Sequence, residues 1–219
     1  MTALSLLEAR VLGVLVEKQH TVPDSYPLTL NALVSGCNQK TARDPVIEAS
    51  EAEVQAAVDH LRALSMVVES SGGRVMRYAQ NVGKVLGVPP QSVALLAVLF
   101  LRGPQTAGEL RINSERLHRF GDILSVQAFL EELAERKDGA LVRELAKLLG
   151  ARETRWAHLL SGEPALPAAA AQPEDVRRGD ALTVSEVAAM KATIDDLQAE
   201  VAALKETVAR LCRQLGIEP

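Results

Sequence analysis

The polar segment CNQKTARDPV, residues 37–46, separates two predicted helices and carries side chains that could contact a ligand. Lys40 and Arg43 are cations that could bind phosphate, because the connection between the second and third helices of a helix-turn-helix can approach a nucleic-acid backbone. The same side chains could instead complement the dipole at the end of the preceding helix and pair with Asp44. The residue types alone leave both roles open.

Further basic side chains lie where a predicted helix or hairpin could meet a partner. Three of them surround His118 in RINSERLHRF (111–120), and four lie in predicted hairpins. Beyond Lys40 and Arg43, the candidates for contact with nucleic acid or a partner protein are Arg74, Arg77, Arg111, Arg116, Arg119, Arg152 and Arg155. Carboxylates on the two predicted third helices oppose DNA binding, because they repel phosphate. These acids are Glu51, Glu53, Asp59, Glu131, Glu132, Glu135 and Asp138.

The residue pattern offers little for catalysis. The four histidines, at positions 20, 60, 118 and 158, are isolated, and the chain has no zinc-protease, nucleophile-elbow or P-loop motif. Cys37 completes an apolar helix face with Leu30, Leu33 and Val34, which favours a buried thiol over a nucleophile. We therefore predict a non-enzymatic protein with no cofactor and no metal site.

Capping boxes mark the predicted helix starts, with a Ser or Thr at the cap and a Glu three residues later. The pairs are Ser5/Glu8, Ser50/Glu53, Thr106/Glu109 and Thr183/Glu186. Together with apolar stripes at helical spacing, they predict helices near 5–18, 29–38, 50–66, 91–101, 106–118, 125–136 and 183–215. Hairpins are predicted at 67–79, where a Gly-Gly pair suits a tight turn, and at 141–159.

The order of three helices and a hairpin occurs twice along the chain. The sequence VQA recurs at 54–56 and 126–128, and RYAQ at 77–80 resembles RWAH at 155–158. Three helices followed by a strand pair is the winged-helix arrangement. We therefore predict a mainly α fold with small β-hairpins, built from two tandem winged-helix domains at 1–82 and 88–162. Tyr78 and Trp156, at equivalent strand positions, are expected to pack the wings onto the core.

The last quarter of the chain has a different pattern. Residues 163–182 are rich in Ala, Pro and charge and predict a linker. Residues 183–215 follow a heptad repeat with mostly β-branched a positions and mostly Leu d positions, which favours a parallel two-stranded coiled coil. A helix docked on its own chain is the alternative. The predicted dimerisation residues are Val187, Met190, Ile194, Leu197, Val201, Leu204, Val208, Leu211 and Leu215.

Composition limits the classes of function. Apolar residues make up 47% of the chain, enough for a core, while the aromatic content of 3% is low for a protein that stacks nucleobases. The net charge is −2 over residues 1–82, +2 over 83–162 and −4 over 163–219, without the basic surplus of a strong phosphate binder. With no apparent signal peptide, no apolar run long enough to span a bilayer and only two cysteines, we expect a cytoplasmic protein without a membrane partner.

Several long motifs in order resemble the YceH-like proteins, a bacterial family without an established function. They are LEARVLGVLVEKQ (7–19), YPL (26–28), CNQKTARDPV (37–46), SEAEVQ (50–55), RVMRYAQ (74–80), LRGPQTAGELR (101–111) and RWAHLLSGE (155–163). The resemblance implies tandem winged helices and brings no catalytic residue or ligand. The segment AKLLGAR (146–152) departs from it, because it is more apolar than the basic second wing expected of the family.

Two hypotheses for function follow. The first is a DNA-associated transcriptional or regulatory binding module that acts as a homodimer through the C-terminal helix. The second is a dimeric scaffold that binds proteins through acidic winged-helix surfaces. DNA and a protein are thus both possible partners.

Overall fold

The computed structural model describes residues 3–70, 75–147 and 153–164. The first half contains α1 (Leu6–Thr21), a short 3-10 turn (Pro23–Ser25), β1 (Leu28–Thr29), α2 (Leu30–Cys37), α3 (Glu51–Ala63), β2 (Val67–Ser70) and β3 (Arg77–Gln80). The strands form an antiparallel sheet in the order β1-β3-β2, with Leu28 opposite Tyr78 and Val67 opposite Gln80. The predicted first hairpin is therefore present and gains a third strand, β1, which was not predicted.

The second half repeats this order of elements. It contains α4 (Val82–Leu86), α5 (Pro90–Arg102), α6 (Ala107–Asn113), α7 (Ile123–Ala134), β4 (Val142–Glu144) and β5 (Trp156–His158). Strands β4 and β5 pair antiparallel, with Val142 opposite His158. Gln105, just before α6, forms a single antiparallel bridge with Trp156, at the place in the order that β1 occupies in the first half. The described residues are thus mainly helical with two small antiparallel sheets.

Local capping fixes where the helices begin. Ser5, Ser50 and Thr106 each form a reciprocal capping box with the predicted glutamate, which confirms three of the four predicted pairs. The fourth pair, at 183 and 186, lies outside the described residues. Asp122 caps α7 by accepting a hydrogen bond from the Ser125 amide, so this helix begins at Ile123. It ends at Ala134, and both boundaries lie two residues earlier than predicted.

Other predicted boundaries shift for local reasons. Helix α3 ends at Ala63 because Ser65 adopts a positive φ of 60° and the chain turns into β2. Helix α6 ends at Asn113, whereas the pattern predicted a helix to 118, because residues 114–117 form a hydrogen-bonded turn. The short helix α4 was not predicted.

The buried residues of both halves form one continuous core, within which α1 packs against α5. Every residue of α5 from Ser92 to Leu101 is buried, which explains why its sequence is apolar all round. Where the two helices approach, Gly13 lies so close to Leu101 that a Cβ at Gly13 would stand 2.8 Å from Leu101 Cγ. Tyr78 and Trp156 are both buried, which confirms that they pack the strands onto the core.

The predicted linker at 163–182 begins at the edge of the described residues, and the coiled-coil helix at 183–215 lies outside them. None of the helices within the described ranges combines the length and apolarity needed to cross a bilayer.

Candidate functional site

Arg43, a predicted contact residue, is buried against α1. Its side chain is 0% exposed, and its two terminal nitrogens donate to both carboxylate oxygens of Glu17 at 3.1 and 2.6 Å. Its Nε donates to the carbonyl of Gly36 at 3.1 Å. The expectation that Arg43 contacts phosphate or a partner is therefore corrected, because the guanidinium is occupied inside the protein. Its alternative role is also revised, since its carboxylate partner is Glu17 and not Asp44.

The charge of Glu17 is stabilised by this arrangement. Burial alone would raise the pKa of the Glu17 carboxyl, but hydrogen bonds and charge from Arg43 and from Lys18 outweigh that effect and lower the pKa below its ordinary value. The bidentate geometry is the one in which a guanidinium binds a carboxylate most specifically. The Arg43–Glu17 pair is therefore an ionised link between the α2–α3 connection and α1.

A second buried guanidinium, that of Arg10, was not among the predicted residues. Arg10 is 1% exposed and donates to the carbonyls of Cys37 at 3.3 Å and Pro45 at 2.7 Å, at the two ends of CNQKTARDPV. Burial and the neighbouring charge of Arg43 lower the pKa of Arg10. The available signal was its place in an apolar helical run, four residues before the buried Val14.

The α2–α3 connection, residues 38–50, is thus fixed to the body of the protein. Besides the two arginines, Asn38 exchanges hydrogen bonds of 2.8 Å with the backbone of Ala49, and the Asp44 amide donates to the Leu101 carbonyl. Cys37 is buried, and this burial raises the pKa of its thiol to about 12, which confirms the predicted core thiol. Lys40 is exposed.

Arg77 lies on β3, and Arg155 immediately precedes β5. Each binds a backbone carbonyl just before the second helix of its half. Arg77 donates to the carbonyl of Pro27 at 2.7 Å, and Arg155 donates to that of Pro104 at 2.9 Å and to Glu109 at 3.2 Å. Both side chains remain partly accessible, but each has an internal role in holding the chain that leads into the second helix of its half. Arg74 and Arg152 lie outside the described residues.

The remaining predicted arginines lie on a different kind of surface. Arg111, Arg116 and Arg119 are exposed around the connection from α6 to α7, and the segment also exposes Ile112 (70%), Ile123 (45%) and Leu124 (72%). We call these six residues the α6–α7 surface. A hydrogen bond of 3.3 Å from Arg111 to the carbonyl of Gly121 holds the end of α6 beside the start of α7. Exposed cations and exposed aliphatic side chains therefore occur at both ends of the α6–α7 connection.

The third helices of the two halves present acids to solvent. On α3, Glu51, Glu53 and Asp59 are exposed, and Arg62 is paired with Asp59 at 3.2 Å and with Glu69 at 2.8 Å. On α7 and just after it, the exposed acids are Glu131, Glu132 and Glu135. Among residues 3–70, 75–147 and 153–164, no three His, Cys, Asp or Glu side chains are grouped so that they could hold a metal ion.

Comparison with known proteins identifies the family. The profile described as "Protein of unknown function, DUF480" matches residues 4–151. A UPF0502 protein of Dechloromonas aromatica is 57% identical over 211 residues, covering 96% of this chain and 97% of its own length. UPF0502 proteins of Paraburkholderia phytofirmans and Methylibium petroleiphilum are 57% and 56% identical, covering 99% and 100% of this chain and 91% and 92% of their own lengths. The resemblance inferred from the sequence motifs is confirmed: the chain belongs to the DUF480, or UPF0502, family of uncharacterised bacterial proteins.

Proposed function

We propose that this protein is a non-enzymatic, tandem winged-helix module that binds another protein through the α6–α7 surface. The division into domains at 1–82 and 88–162 is supported by the repeated order of elements and by the matching places of β1 and Gln105 in the two sheets. The proposal of a binding module, rather than an enzyme, rests on the roles of the charged residues. Arg10, Arg43 and Glu17 form internal links, and Cys37 is a buried thiol.

The observation that carries the proposal is the exposure of Ile112 and Leu124, each at least 70% exposed, beside three exposed arginines. Large aliphatic side chains grouped on a surface are typical of interaction sites, and arginine is enriched at such sites. The matching partner is an amphipathic segment of a protein, with aliphatic side chains to cover Ile112 and Leu124 and carboxylates to pair with Arg116 and Arg119.

A DNA-associated regulatory role is the second candidate. It is favoured by exposed Lys40, Arg111, Arg116 and Arg119, which could contact phosphates. Three observations weaken it: Arg43 is internal, Arg77 and Arg155 hold backbone carbonyls, and the exposed faces of α3 and α7 carry acids. Base reading in the major groove by either third helix would place these carboxylates near phosphates.

The C-terminal heptads add a homodimer to this proposal. Paired helices at 183–215 would present two copies of the α6–α7 surface and raise the apparent affinity for a partner with two binding segments. The dimer prediction stands on the sequence pattern, and light scattering at micromolar concentration tests it independently. We also propose a cytoplasmic location and no cofactor, as the sequence indicates.

A pair of assays separates the two candidate functions. Affinity capture from nuclease-treated lysate of the native host would compare the wild-type chain with Leu124→Asp and with Val68→Asp. Val68 is 44% exposed and lies on β2, so it is a matched apolar control. We expect a protein that is retained by wild type and Val68→Asp and lost with Leu124→Asp.

The second assay titrates labelled duplex DNA with the same proteins over a range of salt concentration. Phosphate-driven binding weakens steeply with salt and is lost when Arg116 and Arg119 are changed to Glu. That result, with no protein retained by the α6–α7 surface, would replace the first proposal with the second. A partner captured equally well by Leu124→Asp would remove the α6–α7 surface as the docking site.

A further inference from the structure

A cavity of about 690 Å³ lies away from the α6–α7 surface. Its wall combines the end of α4, the turn between α7 and β4, and the residues that follow β5. This volume falls within the range of about 300 to 1,000 Å³ that is usual for sites of small organic ligands. Neither Arg10 nor Arg43 lines it, whereas Leu159, Leu160 and Gly162 of the motif RWAHLLSGE do.

Two cations and one acid line the cavity. Lys84 and Asp138 are exposed, with the Asp138 side chain 90% accessible, while Arg136 is largely buried. Asp138 lies 3.8 Å from the Arg136 guanidinium, too far for a strong hydrogen bond and largely screened by water. The cavity therefore carries a net positive charge of one, if each ionisable side chain has its usual charge at neutral pH.

The guanidinium of Arg136 is held in a fixed position. It donates to the carbonyls of Leu86 at 2.6 Å and Gly87 at 3.4 Å, where α4 ends with Gly87 in the left-handed conformation at φ 61°. A guanidinium has five donor hydrogens, so these two bonds leave donors for another acceptor. Its Nε is buried and has no hydrogen-bond partner within the described residues. A cation positioned in advance binds an anion at a lower entropic cost than a free side chain does.

The rest of the wall is largely apolar or bare backbone. Leu86, Leu141 and Leu160 contribute aliphatic surface, and Gly139 and Gly162 contribute backbone without side chains. No atom would lie within 4 Å of a Cβ built at either glycine, so the space beside them is open. A ligand that fits this wall has an apolar body and a single anionic group.

We propose that this cavity binds a small organic monocarboxylate, with its carboxylate between Lys84 and Arg136 and its apolar body against the leucines. A planar carboxylate suits the donor geometry of a guanidinium. One negative charge balances the net charge of the site. The site is separate from the α6–α7 surface, so it stands or fails independently of the proposed function.

The test uses the full-length protein with benzoate and hexanoate as probes, and benzamide and hexanamide as neutral analogues. Binding is measured by saturation-transfer NMR and by titration of chemical shifts. We expect the carboxylates to bind at millimolar concentration or tighter and to bind more tightly than the amides. Lys84→Glu should weaken carboxylate binding by about tenfold or more, because it replaces an attractive charge with a repulsive one.

Two further variants distinguish this site from nonspecific binding. Lys40→Glu makes the same charge change at an exposed lysine that does not line the cavity and should leave binding unchanged. Ala140→Trp places a large side chain at the cavity wall, retains Lys84 and Arg136, and should abolish binding. The proposal is overturned if neither carboxylate binds, if the amides bind equally well, or if Lys84→Glu and Lys40→Glu have the same effect.

Discussion

In each half, one connection joins the second helix to the third, and the arginines of the two connections lie in opposite environments. In the α2–α3 connection, residues 38–50, Arg43 is buried and Arg10 on α1 binds the carbonyls of Cys37 and Pro45. In the α6–α7 connection, residues 114–122, Arg116 and Arg119 are exposed. The element order is the same in both halves, so the order of elements alone does not determine where a cation lies.

The difference originates in the first helix of each half. Helix α1 carries Glu17, which supplies a carboxylate to a buried guanidinium, whereas α5 (Pro90–Arg102) has no acidic residue. Burying an arginine against α5 would leave its charge without a partner, at a cost of several kcal/mol. The first connection is therefore an internal structural link, whereas the second has cations exposed to solvent.

The largest expected effect comes from removing the buried cation of the first connection. Arg43→Met keeps an unbranched apolar chain but leaves the Gly36 carbonyl without its side-chain donor and Glu17 with Lys18 as its remaining partner. We expect a loss of about 3–5 kcal/mol in the free energy of unfolding, measured by denaturant titration. Arg116→Met, the matched change in the second connection, should alter stability by less than about 0.5 kcal/mol.

The double variant Arg43→Met, Glu17→Leu sharpens this result. Removing both charges eliminates a largely buried carboxylate that has lost its guanidinium, so part of the stability lost in Arg43→Met should return. Equal costs for Arg43→Met and Arg116→Met would show that the two connections do not differ in the way described.

The second prediction compares the packing of the end of α2, just before the first connection, with that of the second connection. A Cβ at Gly36, next to Cys37, would stand 2.6 Å from Val14 Cγ1, whereas a Cβ at Gly121 has no neighbour within 4 Å. Gly36→Ala should therefore cost about 1–3 kcal/mol through overpacking on α1. Gly121→Ala should be close to neutral, and thermal unfolding of the two variants gives the comparison. A neutral Gly36→Ala would contradict close packing of the end of α2 on α1.

The third prediction is that the stability of the two halves depends on pH over different ranges. Burial lowers the pKa of His158 on β5 from an ordinary 6.5 to about 4. Because the unfolded chain binds a proton more readily, stability is full above pH 6.5 and falls as the pH drops towards 4. We expect the free energy of unfolding to fall by on the order of 1–2 kcal/mol over this interval. Urea unfolding at several pH values measures this loss. His158→Phe should flatten the curve between pH 6.5 and 4.

The Arg43–Glu17 pair of the first half should respond at lower pH. The lowered pKa of Glu17 means that the Arg43–Glu17 pair stabilises the fold above the ordinary pKa of 4.5 and is lost as the pH falls through the lower folded value. A curve for His158→Phe as steep as that of wild type between pH 6.5 and 4 would rule out His158 as the cause.

The smallest expected effect concerns the exposed aliphatic side chains of the second half. Leu124→Ser removes a side chain that is 72% exposed, so the free energy of unfolding should change by less than about 0.5 kcal/mol. Leu33→Ala, at a fully buried position of α2, should cost about 2–5 kcal/mol and serves as the contrast. A large loss with Leu124→Ser would assign this side chain to the fold and not to the α6–α7 surface.

Much of the local structure could be predicted from the sequence because its signals are short in range. The capping boxes at Ser5, Ser50 and Thr106 and the turn signal before Arg77 depend on residues within a few positions of each other. The strand β1 was missed because two residues give no periodicity, and its pairing partner Tyr78 lies 50 positions later. The end of α6 was missed because an apolar pattern continues through a turn.

The candidate sites were less accessible from the sequence. Arg43 and Arg116 look alike in sequence, each a cation in a polar connection, and only the presence of Glu17 on a helix 26 positions earlier separates them. Arg10 was not among the predicted residues, because arginine is a mostly exposed residue type. The cavity lies between α4 and the α7–β4 turn, where Arg136 meets Gly87 and Leu86, which are 49 and 50 positions earlier in the chain. No local sequence pattern marks it.

The amino-acid sequence alone predicts the helical character of the chain, the starts of three of its helices, the two strand pairs and the family, because these depend on neighbouring residues or on long continuous motifs. Which cations are internal and which face solvent follows instead from the folded arrangement of distant segments. That choice depends on whether a carboxylate or carbonyl from a distant segment can offset the cost of removing a guanidinium from water.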